Sequence, residues 1–449
     1  MANLYKYDLT QGKVSSHLIR LTVPMLWGFL SMAAFNLTDT YFVSRLGTKE
    51  LAAMSFTFPV VTVIISIARG LGVGASSAIA RALGAGNEHK VKRLATDGLI
   101  LTVVIVCVFA ITGLFTINPL FRTMGATEEM LPMIREYMII WYCGVAFMFI
   151  PMLCNHILRA LGSSVLPALM MVIAVVINLI LDPLLIFGLC GFPRMGISGA
   201  AVATVLARLI TLVFSLSLLY FKYRIITFSF PPLRELLDSW KNILHVAIPT
   251  SMTNVLQPVS NGFITAIAAT FSTAAVASVG AGARIQMFAF SIPAALALIM
   301  VPFAGQNWGR GIYSRVRMAW KQSCIFSGLY GLMSFGIFVF AARPLAGIFS
   351  DDPMVVELIC INLYINMFFS AMLHISIIGE TIFNAIGKPY FSGLLGVLKF
   401  VILAIPLAFI LSRLIGVTGV FWGVGLAGFI TGITSFLWLR KLLTAKVDA

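Results

Sequence analysis

The sequence predicts an all-α integral membrane protein with about twelve transmembrane helices in two six-helix lobes, related by a pseudo-two-fold axis along the membrane normal. Its composition is the first reason. Hydrophobic residues make up 60% of the chain, charged residues make up 10%, and the mean hydropathy is +1.00. Soluble domains carry about 25% charged residues. The second reason is that the chain contains two similar halves, so one six-helix unit occurs twice.

The apolar segments give the helices in chain order. A span needs about 20 apolar residues, and about twelve such segments occur, separated by short polar turns. The alternating pattern of a membrane β-barrel is absent from the sequence, so we predict helices. The approximate centres of the predicted spans are Leu30, Ile65, Val106, Phe147, Val176, Leu209, Val255, Phe290, Leu332, Phe368, Leu403 and Phe429.

The two halves align at one constant offset in residue number, which we call the repeat offset. It pairs Pro24 with Pro249, and it pairs Asn36 with Asn261. An even number of spans in each half gives both copies the same orientation in the membrane. We therefore expect an N-terminal lobe, a polar and basic cytoplasmic linker, and a C-terminal lobe. Their predicted bounds are residues 1–220, 221–241 and 242–449.

Lys and Arg residues concentrate in the segments that this arrangement places in the cytoplasm. That distribution is the positive-inside pattern of membrane proteins. It accounts for the formal net charge of +15, so we expect no nucleic-acid partner. Nothing at the start of the chain resembles a cleavable signal peptide. We expect a multi-pass protein of the inner (cytoplasmic) membrane with both termini in the cytoplasm.

Asp39 and Asp182 lie inside apolar segments. A charge there costs roughly 2.5–3.5 kcal/mol at a helix centre, so such an acid predicts a functional site that a proton or small cation neutralises. Either acid could instead lie at the outer interface. Arg45 follows the first span closely, and Pro183, directly after Asp182, could mark a helix end.

Only the first copy of the repeat carries these two acids. At the repeat offset, Asp39 aligns with Ile264. Asp182 aligns with Leu407. A duplicated scaffold explains shared glycines and prolines, but it does not explain acids in one copy. We therefore predict an ion site in the N-terminal half.

Other polar residues and a proline surround the two acids. Asn178 precedes Asp182 by four residues, so both lie on one helix face, and their oxygens suit Na⁺ or a hydrogen-bonded proton. Thr204 offers a hydroxyl on the next span, although a threonine in a membrane helix usually bonds its own backbone. Pro24 weakens the hydrogen-bond ladder of the first span, which predicts either a bending point or a static kink.

Glu380 is a candidate second acidic site in the other half. It aligns with Asn155 near the internal end of its span, so an interfacial acid is the alternative. The six cysteines are scattered, which favours apolar packing over a metal site or disulfides. Catalytic signatures and a phosphate-binding loop are missing from the sequence. We therefore predict a protein that is not an enzyme, has no catalytic residues or cofactor, and draws energy from an ion gradient.

Short motifs distributed over nearly the whole chain resemble the multidrug and toxic-compound extrusion (MATE) transporters. Each motif is short, but their order and spacing are jointly specific. The placement of the acids resembles the DinF-like branch of that family. The motifs are Asp39–Val43 with Leu46 and Gly47, Asn178 with Asp182 and Pro183, Gly196–Thr204, and Gly305–Gly309.

The resemblance implies an antiporter with two six-helix lobes around a V-shaped cavity. Such proteins export cationic or amphipathic organic compounds in exchange for H⁺ or Na⁺ by alternating access. In the DinF-like branch, the cation site contains a first-helix Asp, an Asn and an Asp four residues apart, and a Thr on the next helix. These match Asp39, Asn178, Asp182 and Thr204, which would also be the Na⁺ ligands. Pro24 would support bending of the first helix.

The expected partners are small-molecule drugs or toxic organic compounds, the coupling cation and membrane lipid, and we expect a monomer. H⁺ and Na⁺ both stay open because they require the same carboxylates. A flippase for lipid-linked precursors, on the same broader scaffold, is one alternative, and it predicts a cationic cavity for pyrophosphate. A membrane-embedded enzyme is the other, and it predicts a catalytic constellation. Neither feature is evident in the sequence.

Overall fold

The architecture comes from a computed structural model of the chain. It describes residues 8–44, 48–227 and 232–447. The regular structure in these ranges is helical, as the sequence predicts. The chain forms two compact units. Unit 1 includes Val23–Ser251, and unit 2 combines Leu9–Thr22 with Met252–Ala449.

The first half of the chain contributes six α-helices, and a π-helical turn at Leu218–Lys222 extends the last of them. Most of these helices carry a proline that the helix tolerates without ending. The helices are α1 (Val14–Ser44), α2 (Thr48–Gly84), α3 (Glu88–Thr123), α4 (Leu131–Ala160), α5 (Val165–Phe187) and α6 (Ile197–Ser217).

The second half contributes eight α-helices because two of its spans are interrupted. A π-helical segment at Leu398–Ala404 separates α12 from α13. The helices are α7 (Leu233–Ala269), α8 (Thr273–Ala289), α9 (Ser291–Gly309), α10 (Tyr313–Gly347), α11 (Pro353–Ala385), α12 (Pro389–Val397), α13 (Ile405–Ile415) and α14 (Val417–Val447).

The described residues include most of the predicted membrane spans. Nine continuous segments are long and apolar enough to cross a membrane, and the bent pair α8–α9 forms a tenth if it is one span. Helix α1 has 31 residues and helix α7 has 37. Both exceed the roughly 20 residues that a span requires, so by length alone they bring the number of helices to the twelve expected from the sequence.

One predicted span is broken at its centre. Helices α8 and α9 meet at Phe290 with a bend of 57°. Pro293 explains the position of the break, because it has no N–H and its ring excludes the carbonyl four residues earlier, that of Ala289. The hydroxyl of Tyr330 donates to this freed carbonyl oxygen at 2.6 Å. A side chain of another helix thus stabilises the interruption.

The start of α7 packs inside unit 1. A Cβ added at Gly70 of α2 would lie 2.7 Å from the backbone nitrogen of Ser251, so the two helices approach closely only because this residue is glycine. Trp240 Nε1 donates to the carbonyl oxygen of Asp97 in α3 at 3.0 Å. These contacts join residues 233–251 to the first half of the chain.

The segment that precedes α1 is held inside unit 2 by polar side chains. Arg315 donates through Nη1 to the carbonyl oxygen of Gly12 at 2.7 Å and through Nη2 to that of Leu9 at 3.1 Å. Asn307 Nδ2 also donates to the Leu9 carbonyl oxygen, at 3.1 Å. The side chain of Leu9 is fully buried. Asn307, which belongs to the Gly305–Gly309 motif, therefore helps to anchor the segment before α1.

Because of these contacts at the starts of α1 and α7, the boundaries of the two units differ from the predicted boundaries of the two lobes. The sequence places residues 1–220 in one lobe, 221–241 in a linker and 242–449 in the other lobe. In the structure, Leu9–Thr22 belongs to unit 2, and unit 1 continues to Ser251. Helix α7 also begins at Leu233, inside the predicted linker. Short-range sequence patterns do not register these long-range packing contacts.

Candidate functional site

Helix α5 carries a buried polar pair. Asn178 and Asp182 are each 1% exposed. The side-chain amide of Asn178 donates through Nδ2 to Asp182 Oδ1 at 2.7 Å. Their four-residue spacing places them one helical turn apart on the same face. The pair is therefore a preformed arrangement in which one oxygen of the acid already accepts a hydrogen bond.

Pro183 does not end α5, contrary to the alternative drawn from the sequence. The helix continues to Phe187 and is capped by Gly188 in the left-handed conformation, with φ of 74°. Asp182 therefore lies five residues, or about 7.5 Å along the axis, before the helix end. Its burial shows that this acid is packed within unit 1 and is not a solvent-exposed cap.

Thr204 of α6 lines a small cavity that Asn178 also lines. Other threonines in these helices bond their own backbone, as Thr211 does to the carbonyl oxygen of Arg208 at 2.8 Å. Within the described residues, the Thr204 hydroxyl makes no such bond, so the ordinary role of a membrane threonine does not apply to it. The cavity is lined by Met171, Ala174, Val175, Asn178, Thr204, Ala207 and Arg208.

The cavity combines an apolar wall with a few polar groups. Asn178 Oδ1 is buried and has no hydrogen-bond partner among the described residues. A buried acceptor of this kind costs free energy unless a ligand, an ion or water satisfies it. The cavity is small, with room for about one water molecule. The cavity suits a single water or small ion.

Sequence reasoning did not connect Arg208 with this site. Arg208 lines the same cavity as Thr204 and follows it by four residues on α6. Helical spacing alone would have placed the two side chains on one face. The arginine brings a fixed positive charge to the wall of the proposed cation site, so the local electrostatics include both signs of charge.

Two predicted site residues of α1 are described less fully. Asp39 lies in α1, and its side chain falls outside the described part of the structure. Pro24 lies within the same helix, which continues from Val14 to Ser44. The structure thus places Asn178 and Thr204 on one cavity and Asp182 in hydrogen-bond contact with Asn178. An ion-coupling role for these residues, and the participation of Asp39, stay predictions.

Glu380 belongs to a different unit and has its own polar surroundings. It is half-buried in α11, and the Ser376 hydroxyl donates to its Oε1 at 3.0 Å. Lys399, in the π-helical segment, interacts with it electrostatically. On the same helix, His374 is 1% exposed and its ring packs edge-on against Phe290 at a centroid distance of 5.0 Å. This cluster is separate from the α5–α6 site along the chain and in unit membership.

Comparison with known families identifies the scaffold. The sequence model of the family described as MatE matches residues 24–184 and 249–410. The chain belongs to the MATE family. The two matched segments begin at Pro24 and at Pro249, the same pair of prolines that the repeat offset aligns. The predicted family and the predicted duplication are both confirmed.

Relatives extend over nearly the whole chain. A protein named FAD transporter from Shewanella oneidensis is 35% identical over 437 residues, covering 97% of each chain. The multidrug export protein MepA from Staphylococcus saprophyticus is 24% identical over 436 residues, covering 96% of this chain and 94% of that one. A solved structure of a variant of the Vibrio cholerae MATE transporter VcmN superposes with a TM-score of 0.92 at 28% identity, covering 96% and 97% of the two chains.

These similarities confirm the predicted twelve-helix, two-lobe fold class and a multi-pass membrane protein of the MATE type. They also support multidrug efflux transport with small-molecule substrates. The family match favours transport over the membrane-embedded enzyme that the sequence analysis kept as an alternative.

Proposed function

We propose that the protein is a multidrug efflux antiporter that couples export of organic, often cationic or amphipathic compounds to entry of H⁺ or Na⁺. The coupling site lies in unit 1 and comprises Asp182, Asn178 and Thr204, together with Asp39 from α1. The drug leaves the cell as the cation moves down its gradient. When the exported compound is uncharged, one entering cation moves one net charge, which supplies about 2.3 kcal/mol across 100 mV. When the compound is a monovalent cation, the exchange is electroneutral and the concentration gradient of the coupling cation drives it.

The observation that carries this proposal is the buried Asn178–Asp182 pair beside a cavity with an unsatisfied acceptor. A carboxyl group at 1% exposure is costly to ionise, so binding and release of a proton or Na⁺ change its free energy strongly. The oxygens of Asn178 and Thr204 are suitable additional ligands. The site therefore alternates between a neutralised state and a charged state.

Alternating access follows from this change of charge. The outward-facing protein takes up the cation at Asp182 and Asp39, and neutralisation lets α1 bend near Pro24. Bending reshapes the drug site and weakens drug binding, so the drug departs on the outer side. Coupling requires that the cation and the drug bind the two states with different affinities. Release of the cation to the cytoplasm resets the transporter.

The test is dye efflux from proteoliposomes under an imposed pH gradient or an imposed Na⁺ gradient. We expect one of the two gradients to drive export by the unaltered protein. Asp182→Asn removes the titratable oxygen while preserving size and hydrogen bonding, so gradient-driven export should cease. Equilibrium dye binding to the same variant should persist, because the coupling site differs from the drug site.

Asp351→Asn is the matched control, because Asp351 is an exposed acid in the turn before α11. It should transport like the unaltered protein. Full gradient-driven export by Asp182→Asn would refute the proposed site. Equal export with and without either gradient would refute cation coupling itself.

Export of a flavin dinucleotide is a second candidate function. The relative named FAD transporter is 35% identical to this chain, compared with 24% for the MepA relative above. Cells that overproduce the protein should then accumulate more FAD in the medium than cells that produce Asp182→Asn. Unchanged external FAD, measured with dye export intact, would exclude this candidate.

A further inference from the structure

Arg69 lies at the centre of an apolar segment that is long enough to cross a membrane. The apolar part of α2 covers Met54–Gly84, and Arg69 is its central residue. The side chain is nevertheless exposed. A guanidinium facing lipid at this depth would be very costly, and charged residues at such positions face a water-filled recess and mark substrate pathways. A guanidinium in such a segment is accommodated where it borders an aqueous recess.

Two further basic side chains lie next to it on α4. Helices α2 and α4 pack together, and the His156 ring occupies the place where a Cβ at Gly72 would be. Gly72 is one turn from Arg69, and Arg159 is one turn beyond His156. Both helices run in the same direction, because one antiparallel helix separates them. The basic groups thus form a ladder with steps of about 4.5 Å along the helix axes.

The ladder has no internal counter-charge. His156 interacts electrostatically with both Arg69 and Arg159. His156 is 5% exposed and Arg159 is 6% exposed. Within the described residues, the side chains of these three groups form no hydrogen bond or ion pair. Buried arginines normally pair with carboxylates, because an uncompensated buried charge is strongly unfavourable.

The repeat shows that the scaffold does not require this ladder. At the repeat offset, Arg69 corresponds to Ala294. His156 corresponds to Thr381, and Arg159 corresponds to Asn384. The second copy forms the corresponding spans, one of them broken at Phe290, without the basic residues. Positive-inside topology explains an arginine at the cytoplasmic end of α4, but it does not explain one at the centre of α2.

We propose that Arg69, His156 and Arg159 form an anion subsite that binds the phosphates of an organic diphosphate substrate. This inference rests on the second candidate function above, the export of a flavin dinucleotide. Each guanidinium presents a planar fork of N–H donors that matches phosphate oxygens in a two-pronged contact. His156 donates one N–H between them. The two arginines are offset by about 9 Å along the helix axes at their Cα atoms, so their side chains can converge on a diphosphate from opposite ends.

The test compares three flavins that share one ring system and differ in phosphate content. Riboflavin has none, FMN has one, and FAD has a diphosphate. Their binding to the full chain in phosphatidylcholine nanodiscs is measured by fluorescence anisotropy without any ion gradient. We expect FAD to bind at least about tenfold more tightly than riboflavin, with FMN between them.

Substitutions then locate the phosphate contacts. Arg69→Gln and Arg159→Gln should each weaken FAD binding by about tenfold and change riboflavin binding less than about twofold. Arg69→Lys keeps the charge but loses the fork, so it should recover part of the affinity. Arg135→Gln changes an exposed arginine on the same helix as Arg159 and should leave all three affinities unchanged.

Equal affinity of the unaltered protein for FAD and riboflavin would overturn the proposal. So would an equal loss for all three flavins in Arg69→Gln. Loss of FAD binding in nanodiscs that contain phosphatidylglycerol would assign the ladder to a lipid headgroup and overturn the soluble substrate. Gradient-driven dye efflux by the same variants reports separately on the coupling site at Asp182, so the two proposals fail by different measurements.

Discussion

The junction of α5 and α6 in unit 1 and the junction of α13 and α14 in unit 2 are copies of one structural element. Gly199 and Gly419 are each the third residue of their helix. In both places an added Cβ would collide with a carbonyl oxygen near the end of the preceding helix, that of Leu185 or that of Leu411. The two copies share this close backbone approach.

The same comparison shows where the copies differ. From Gly199 and Gly419 onwards the offset between the copies is smaller, because the connection before α6 is longer than the connection before α14. Thr211 of α6 recurs as Thr431 of α14. Thr204, however, corresponds to Val424, and Arg208 corresponds to Gly428.

Packing and chemistry have therefore diverged separately after duplication. The glycines that let the helices approach, Gly199 and Gly419, are retained in both units. Replacing either glycine with a larger residue would disrupt a close-packed contact. The polar residues of the cavity occur in unit 1 alone among these aligned positions. This separation makes the asymmetric residues the informative ones for function, and the following changes test it.

The largest effect should come from giving α5 the residue of its copy. Asp182→Leu removes the acid, so gradient-driven dye efflux should fall by about 100-fold, near the upper end of ordinary coupling free energies. Initial efflux rates from proteoliposomes measure this loss. Combining Asp182→Leu with Leu407→Asp moves the acid into unit 2 and should not restore transport. Restoration would show that the two units are interchangeable for coupling.

Loss of either packing glycine should destabilise the protein to a similar extent. Gly199→Val and Gly419→Val force a side chain against the backbone, which costs about 1–3 kcal/mol in overpacked contacts. Thermal unfolding followed by tryptophan fluorescence should show a lower Tm for both. Gly262→Ala, where an added Cβ has open space, should instead stabilise α7 by about 0.5–1 kcal/mol. A lower Tm for only one of the two variants, Gly199→Val or Gly419→Val, would contradict the idea that both units depend on this packing contact.

The broken helix of unit 2 offers a smaller test. Its copy α2 has Ala68 where α9 has Pro293, and α2 is continuous. Tyr330→Phe removes the donor to the freed carbonyl oxygen and should cost about 1 kcal/mol of unfolding free energy. Tyr364→Phe is the control, because the Tyr364 hydroxyl makes a longer, exposed bond of 3.4 Å to Val339. Equal shifts in Tm for the two variants would remove the proposed support of the break.

The smallest expected effect on transport comes from removing the Thr204 hydroxyl, which lies at the cavity. Thr204→Val copies Val424 of unit 2 and should lower gradient-driven efflux about fivefold, at the lower end of coupling free energies. Thr204→Ser should restore the rate, because it returns the oxygen. Thr211→Val removes a hydroxyl that bonds its own helix, so transport should not change. A similar loss in Thr204→Val and Thr211→Val would assign Thr204 a packing role.

Much of the local arrangement follows from the sequence. The spacing of Asn178 and Asp182 predicts a shared helix face, and the structure shows their side chains in direct hydrogen bonding. The four-residue spacing of Thr204 and Arg208 likewise places both side chains on one face of α6. The cavity that unites these residues depends on how α5 packs against α6. No pattern within either helix specifies that packing.

The sequence by itself determined the helical class, the number of spans, the duplication and the positions of the asymmetric acids. Hydropathy and spacing are local properties, and backbone hydrogen bonding in a membrane leaves few alternatives to a helix. The tertiary structure alone decided the hydrogen bond from Tyr330 that supports the break at Phe290, the unit membership of Leu9–Thr22 and of the start of α7, and the uncompensated ladder at Arg69. Each of these depends on contacts between residues distant in the chain, where close packing selects the partners.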